Sequence, residues 1–142
     1  MPTGSCFCKG INLEYTGEPA MTALCHCNDC RHISGGLYSH NIVVPSEQVK
    51  ITKGAPKEIS TTANSGKRMT NCFCPDCGTT LFRYGDTFGG RDGLLVLKAG
   101  IMDDADVINN TKPGAELFAP RRIDWVEGIG GAAQVEEMPP PS

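Results

Sequence analysis

The sequence predicts a mainly β single domain, and three observations predict it. Apolar and polar residues alternate in several short runs, the period of a half-buried strand. Seventeen Gly and ten Pro punctuate the 142 residues, which favours short strands and turns over a helical bundle. Eight Cys fall in three clusters, Cys6-x-Cys8, Cys25-x-Cys27-x-x-Cys30 and Cys72-x-Cys74-x-x-Cys77, spacings suited to tight turns.

Ile11, Leu13 and Tyr15 alternate with polar residues and predict a first strand. Asn28 to Ser34 predicts the one short helical turn, with Asn28 as its cap and Gly35 as its end, at the second Cys cluster. Tyr38 to Val44 is β-branched and aromatic, and Pro45-Ser46 ends it. Val49 and Ile51, then Ile59 to Thr62, predict strands around the turn Lys53-Gly54-Ala55-Pro56. Thr79 to Tyr84, Leu94 to Ala99 and Arg122 to Val126 complete the set, broken by Gly85, Gly89-Gly90, Gly93 and Gly100. The domain is expected over residues 1–135, with a disordered Pro-rich tail over 136–142.

Composition narrows the function classes. The 13 basic and 16 acidic residues leave a net charge of −3, and the basic ones are scattered, so no face for nucleic acid is expected. The most apolar run, Leu94 to Leu97, is far short of a membrane span. Met1-Pro2-Thr3-Gly4-Ser5 has no basic region followed by an apolar stretch, so a cytoplasmic protein is expected. Eight thiols in such a protein point to metal or chemistry rather than to disulfides.

Two CxxC units and three CxC pairs point to zinc, which takes thiolates at about 2.3 Å in a tetrahedral array. In Cys74-Pro75-Asp76-Cys77-Gly78, the glycine permits the backbone angles that such a turn requires. Cys6 and Cys8 need a distant pair, and Cys74 with Cys77 is the natural one: a closed, structural four-thiolate site. Cys25, Cys27 and Cys30 then offer three thiolates and a vacancy, which is what a catalytic zinc needs. Cys72 is left over. As a fourth ligand of the middle site it would make both zincs structural; His26, His32 and His40 are further candidates for that place, although His26 should point away from the metal.

Gly4 to Gly10, Cys25 to Arg31 and Phe73 to Thr79 resemble the glutathione-dependent formaldehyde-activating enzyme family, also named for its relation to centromere protein V. The likeness extends to Gly35, Asn41 to Pro45, Lys98 to Asp104 and Trp125, over roughly residues 4–134. The resemblance implies a zinc-stapled β-tent with two Zn2+ per chain. It implies a structural zinc on Cys6, Cys8, Cys74 and Cys77, and a catalytic zinc on Cys25, Cys27 and Cys30. Cys72 departs from the pattern and is expected as a buried free thiol.

The activity implied is that of a zinc-dependent carbon–sulfur lyase or synthase acting on thiol–aldehyde adducts, as in the condensation of glutathione with formaldehyde to S-(hydroxymethyl)glutathione. Three thiolates carry −3 against +2, so metal-held thiolate chemistry suits the site better than Lewis-acid chemistry. Glutathione's carboxylates call for cations, for which Lys9, Arg31, Lys67, Arg68, Arg121 and Arg122 are available. Arg31, directly after a ligand, and Trp125 are the expected substrate contacts. Two other readings compete: a related zinc enzyme acting on another aldehyde, thioacetal or imine in small-molecule biosynthesis, and a non-catalytic zinc scaffold that binds a protein.

Overall fold

The computed structural model describes residues 1–63 and 65–138, and its architecture is mainly β. Three strands, β1 (Thr3–Ser5), β2 (Asn12–Tyr15) and β5 (Val49–Lys53), form a small antiparallel sheet in the order β1-β2-β5. The other eight are β3 (Met21–Cys25), β4 (Ser39–Pro45), β6 (Lys57–Thr62), β7 (Arg68–Phe73), β8 (Thr80–Gly85), β9 (Leu94–Lys98), β10 (Ala115–Leu117) and β11 (Ala133–Gln134). They form a large sheet in the order β11-β10-β3-β4-β9-β8-β7-β6. Helix α1 spans Asn28–Ser34 and helix α2 spans Ala105–Asn110.

Side-chain alternation gives the large sheet two distinct faces. One carries Ile42, Val44, Leu95, Leu97 and Phe82, which pack with Leu13 and Tyr15 of β2 into the main core. The opposite face carries Cys25, Ser39, Asn41, Lys98 and Arg83, brought side by side by the register Cys25↔Ser39, Asn41↔Lys98 and Val96↔Arg83. A smaller cluster of Ala23, Cys25, Cys30 and Leu117 lies around the second Cys motif. Leu13 is 0% exposed between the two sheets. Leu13→Ala is therefore expected to lower stability by roughly 2–5 kcal/mol, read as an earlier urea midpoint with an unchanged slope.

Helix α1 forms where expected, but its cap differs. The Cys27 sulfur, not Asn28, accepts the Cys30 N–H at 3.3 Å, because the thiol already faces that turn as part of its cluster. Gly35 ends the helix at φ 68°, the left-handed conformation expected of it. The strand expected over Arg122–Val126 is absent. Pro120 lies in a 3-10 turn, and a further turn closed by Val126 N–H to Ile123 O at 2.9 Å occupies the segment. Trp125 sits on that turn at 75% exposure, so it is neither core nor a strand residue. Five strands went unforeseen: β1, β3, β7, β10 and β11; so did α2, which Asp104 caps through the Asp106 N–H. Of the tail expected over 136–142, residues 139–142 lie outside the described residues. Glu137 O accepts the Phe118 N–H at 3.4 Å.

Candidate metal centres

Two tight turns build the first thiol cluster. Cys6 and Cys8 lie on the turn from β1 to β2, closed by Lys9 N–H to Cys6 O at 3.0 Å and Cys6 N–H to Ile11 O at 3.1 Å. Cys74 and Cys77 lie on the turn from β7 to β8, closed by Gly78 N–H to Cys74 O at 2.9 Å, with Gly78 at φ 79°. The four sulfurs lie within 4.8 Å of one another. Cys6 and Cys8 are 3.6 Å apart, and Cys8 and Cys74 are 3.7 Å apart. Four thiolates around zinc at 2.3 Å define a tetrahedron with edges of about 3.8 Å. The donor set and its spacing fit that ion. The hydroxyl and backbone N–H of Thr79 hold the Cys77 thiol down to about 5, and the Ile11 N–H reaches Cys6 Sγ at 3.3 Å. The cluster ties the small sheet to the large one.

The second cluster is local. Cys25 ends β3, Cys27 caps α1 and Cys30 lies in its first turn. Their sulfurs also lie within 4.8 Å of one another, with Cys25 and Cys27 at 3.4 Å. Among the described residues, no fourth Cys, His, Asp or Glu joins them. Cys25 and Cys27 donate to Cys30 and hold it as the thiolate, down to about 2; burial opposes this, while Lys98 and the Ser39 hydroxyl reinforce it. The same contacts push Cys25 up. None of the eight cysteines is in a disulfide.

A cavity of about 460 Å3 opens on this side of the large sheet, lined in part by Tyr38, Ser39, His40, Thr80 and Lys98. Ser39 belongs both to the cavity wall and to the surroundings of Cys30. Burial draws the Lys98 pKa down to about 8, against the opposing pull of Cys30 and with the Arg83 charge adding to the fall.

Arg31 is half-buried, and its Nη2 donates to Asn28 Oδ1 at 3.1 Å on its own helix. Trp125 does not line the cavity. Cys72 is 0% exposed and 3.4 Å from Glu58 Oε1, and burial pushes it up to about 12. It joins neither cluster. His32 bonds its own helix through Asn28 O at 2.8 Å, and His40 contacts Thr111 O at 3.3 Å.

His26 turns to Glu116, with Nε2 2.8 Å from Oε1 and both side chains fully buried. The Glu116 carboxylate also accepts from Ile129 N–H and Gln134 Nε2 at 2.8 Å, and from Arg122 Nε at 3.3 Å. Burial raises its pKa, but these donors outweigh burial and hold it near 2. Sequence reasoning missed Lys98, Ser39 and Glu116. Lys98 lies in a stretch that carried the family likeness, yet only strand register brings it beside the thiols.

The family model for glutathione-dependent formaldehyde-activating enzymes matches residues 1–121. The chain belongs to that family. The match takes in all three Cys clusters, and the family is named for enzymes that act on glutathione and formaldehyde. A crystal structure of a Rhodobacter sphaeroides protein shares the fold at 15% identity. Its TM-score is 0.53, over 74% of this chain and 94% of that one. No curated protein matches the chain significantly. Among the described residues, no helix is long and apolar enough to cross a membrane.

Proposed function

We propose that the protein is a zinc-dependent carbon–sulfur lyase or synthase that interconverts a thiol and an aldehyde with their hemithioacetal. Glutathione and formaldehyde are the pair that the family suggests. The observation that carries this reading is a cluster of three thiols, with no fourth ligand among the described residues, beside a cavity that shares Ser39 with it. Cys25, Cys27 and Cys30 would hold one Zn2+, and Cys6, Cys8, Cys74 and Cys77 another. At the three-ligand site, zinc supplies an open position at which a substrate thiol is kept deprotonated.

The chain's own residues do the remaining work. Cys30 lies in the first turn of α1, where its own N–H is held by the Cys27 sulfur, so one ligand positions another. Glu116 fixes the His26 ring between two ligands, and with it the peptide that aims Cys25 and Cys27. The cavity gives a small thiol–aldehyde adduct room against Ser39 and Lys98.

Cys27→Ser tests this reading, because serine keeps the helix cap while removing a thiolate. Zinc content should fall from two ions per chain to one, and condensation of glutathione with formaldehyde should drop to the spontaneous rate. The circular dichroism spectrum should be retained. A variant that still turns over above background, or a wild type that does not, would sink the proposal.

A further inference from the structure

We infer that Lys98 is a catalytic residue: its ammonium group receives the aldehyde oxygen as that oxygen becomes negative during carbon–sulfur bond formation. This rests on the reaction proposed above and goes beyond it by naming the group that meets the second reactant.

Charge makes the need plain. Three thiolates and Zn2+ sum to −1, and a substrate thiolate brings the site to −2. When the thiolate sulfur forms its bond to the carbonyl carbon, the π pair of the C=O moves onto oxygen, so the negative charge shifts outward without cancelling. A cation placed in advance on the cavity wall lowers the energy of that state more than it lowers the energy of the neutral aldehyde. The proton that the substrate thiol gave up to solvent returns through water to complete the hydroxyl, so no proton is gained or lost overall and Lys98 remains an ammonium throughout. The reverse reaction returns the pair to the C=O as the carbon–sulfur bond breaks.

The structure meets this need with a positioned donor. Lys98 Nζ donates to Asn41 Oδ1 at 2.9 Å, and Asn41 Nδ2 donates to Ser39 Oγ at 3.0 Å. Ser39 is the register partner of Cys25, so two hydrogen bonds and one strand pairing fix the ammonium relative to the thiols. An ammonium has three hydrogens, so two donors remain after Asn41 is served. The side chain lines the cavity. Strand register puts it on the sheet face that also carries Cys25, Ser39 and Asn41. On the neighbouring strand, Arg83 is 7% exposed, with no hydrogen-bond partner for its Nε among the described residues, and it adds positive charge to the same sheet face. Two cationic side chains on one face, one of them on the cavity wall, suit that face to receive negative charge.

The test compares wild type, Lys98→Met and Lys98→Arg. It measures condensation of glutathione with formaldehyde above background, affinity for glutathione by calorimetry, and zinc per chain. Lys98→Met should lose about 10²–10³-fold in kcat, the usual effect of removing one preorganised donor. It should keep both zinc ions and bind glutathione within about threefold of wild type. Lys98→Arg should recover part of the rate, since it keeps the charge but not the position of the donor. Three results would overturn the inference: Lys98→Met turning over like wild type, losing a zinc ion, or losing glutathione affinity at unchanged kcat. The last would make Lys98 a carboxylate clamp. No turnover in the wild type would instead overturn the proposed reaction, and this inference with it.

Discussion

Cys74→Ser is expected to abolish the folded state. Cys74 is 1% exposed and packs in the main core while its sulfur lies 3.7 Å from Cys8. Structural zinc contributes on the order of 10–16 kcal/mol of apparent binding free energy to small domains. Net stability is only about 5–15 kcal/mol, so losing the site removes as much as the whole margin. The far-UV dichroism should lose its strand signal, and heating should give no cooperative transition. Cys72→Ser is the control. It lies two positions away, is equally buried and belongs to neither thiol cluster. It should keep two zinc ions and cost only about 1–3 kcal/mol for burying a hydroxyl. If Cys72→Ser lost zinc while Cys74→Ser kept it, the division of ligands would be wrong.

The second large effect is expected at Glu116. Its carboxylate gathers His26, Arg122, Ile129 and Gln134 at a fully buried position, and Arg122 also donates to Gln134. Glu116→Ala would leave a buried guanidinium contact, an imidazole and a backbone N–H without their acceptor. The expected cost is roughly 3–5 kcal/mol, measured as a loss of stability in urea. Zinc at the three-thiol site should also be held about 10–100-fold more weakly, because His26 joins two of its ligands. The acid response follows from the sign of the shift. Glu116 titrates near 2 in the fold against an ordinary 4.5, so its stabilisation is complete above about 4.5 and is lost as the pH falls towards 2. Glu116→Gln should lack that portion of the acid transition.

These two predictions differ in how far the sequence foretold them. The thiol turns were legible because each ligand pair is local, and soft ligands at short spacing converge from one tight turn. Strands whose alternation is made by large apolar residues, such as Leu13 and Tyr15 in β2, were legible for the same local reason. β3 and β7 were not, since each runs into a Cys motif that dominates its reading. β10 has only three residues and owes its place to parallel pairing with β3. Glu116 reads locally as one more surface acid; its partner His26 is 90 positions away. Lys98 reads as the polar end of an apolar strand, and only its register with Asn41 reveals the face it serves. Trp125 failed in the opposite direction. An apolar stretch beside it suggested a strand, but the segment folds into a turn and leaves the indole outside.

The separation of the first four thiols also sets an order of assembly. Cys8 and Cys74 are 66 positions apart, whereas Cys25, Cys27 and Cys30 span a single turn. On a ribosome, a three-thiol motif that binds metal as proposed would be able to do so as soon as it emerges. The amino-terminal hairpin must wait, its two thiols unpaired, until Cys77 has been made. The turn that joins β1 to β2 would thus be secured long after it is made, and a nascent chain that stalls before residue 77 would expose an open pair of thiols to any soft metal in the cell.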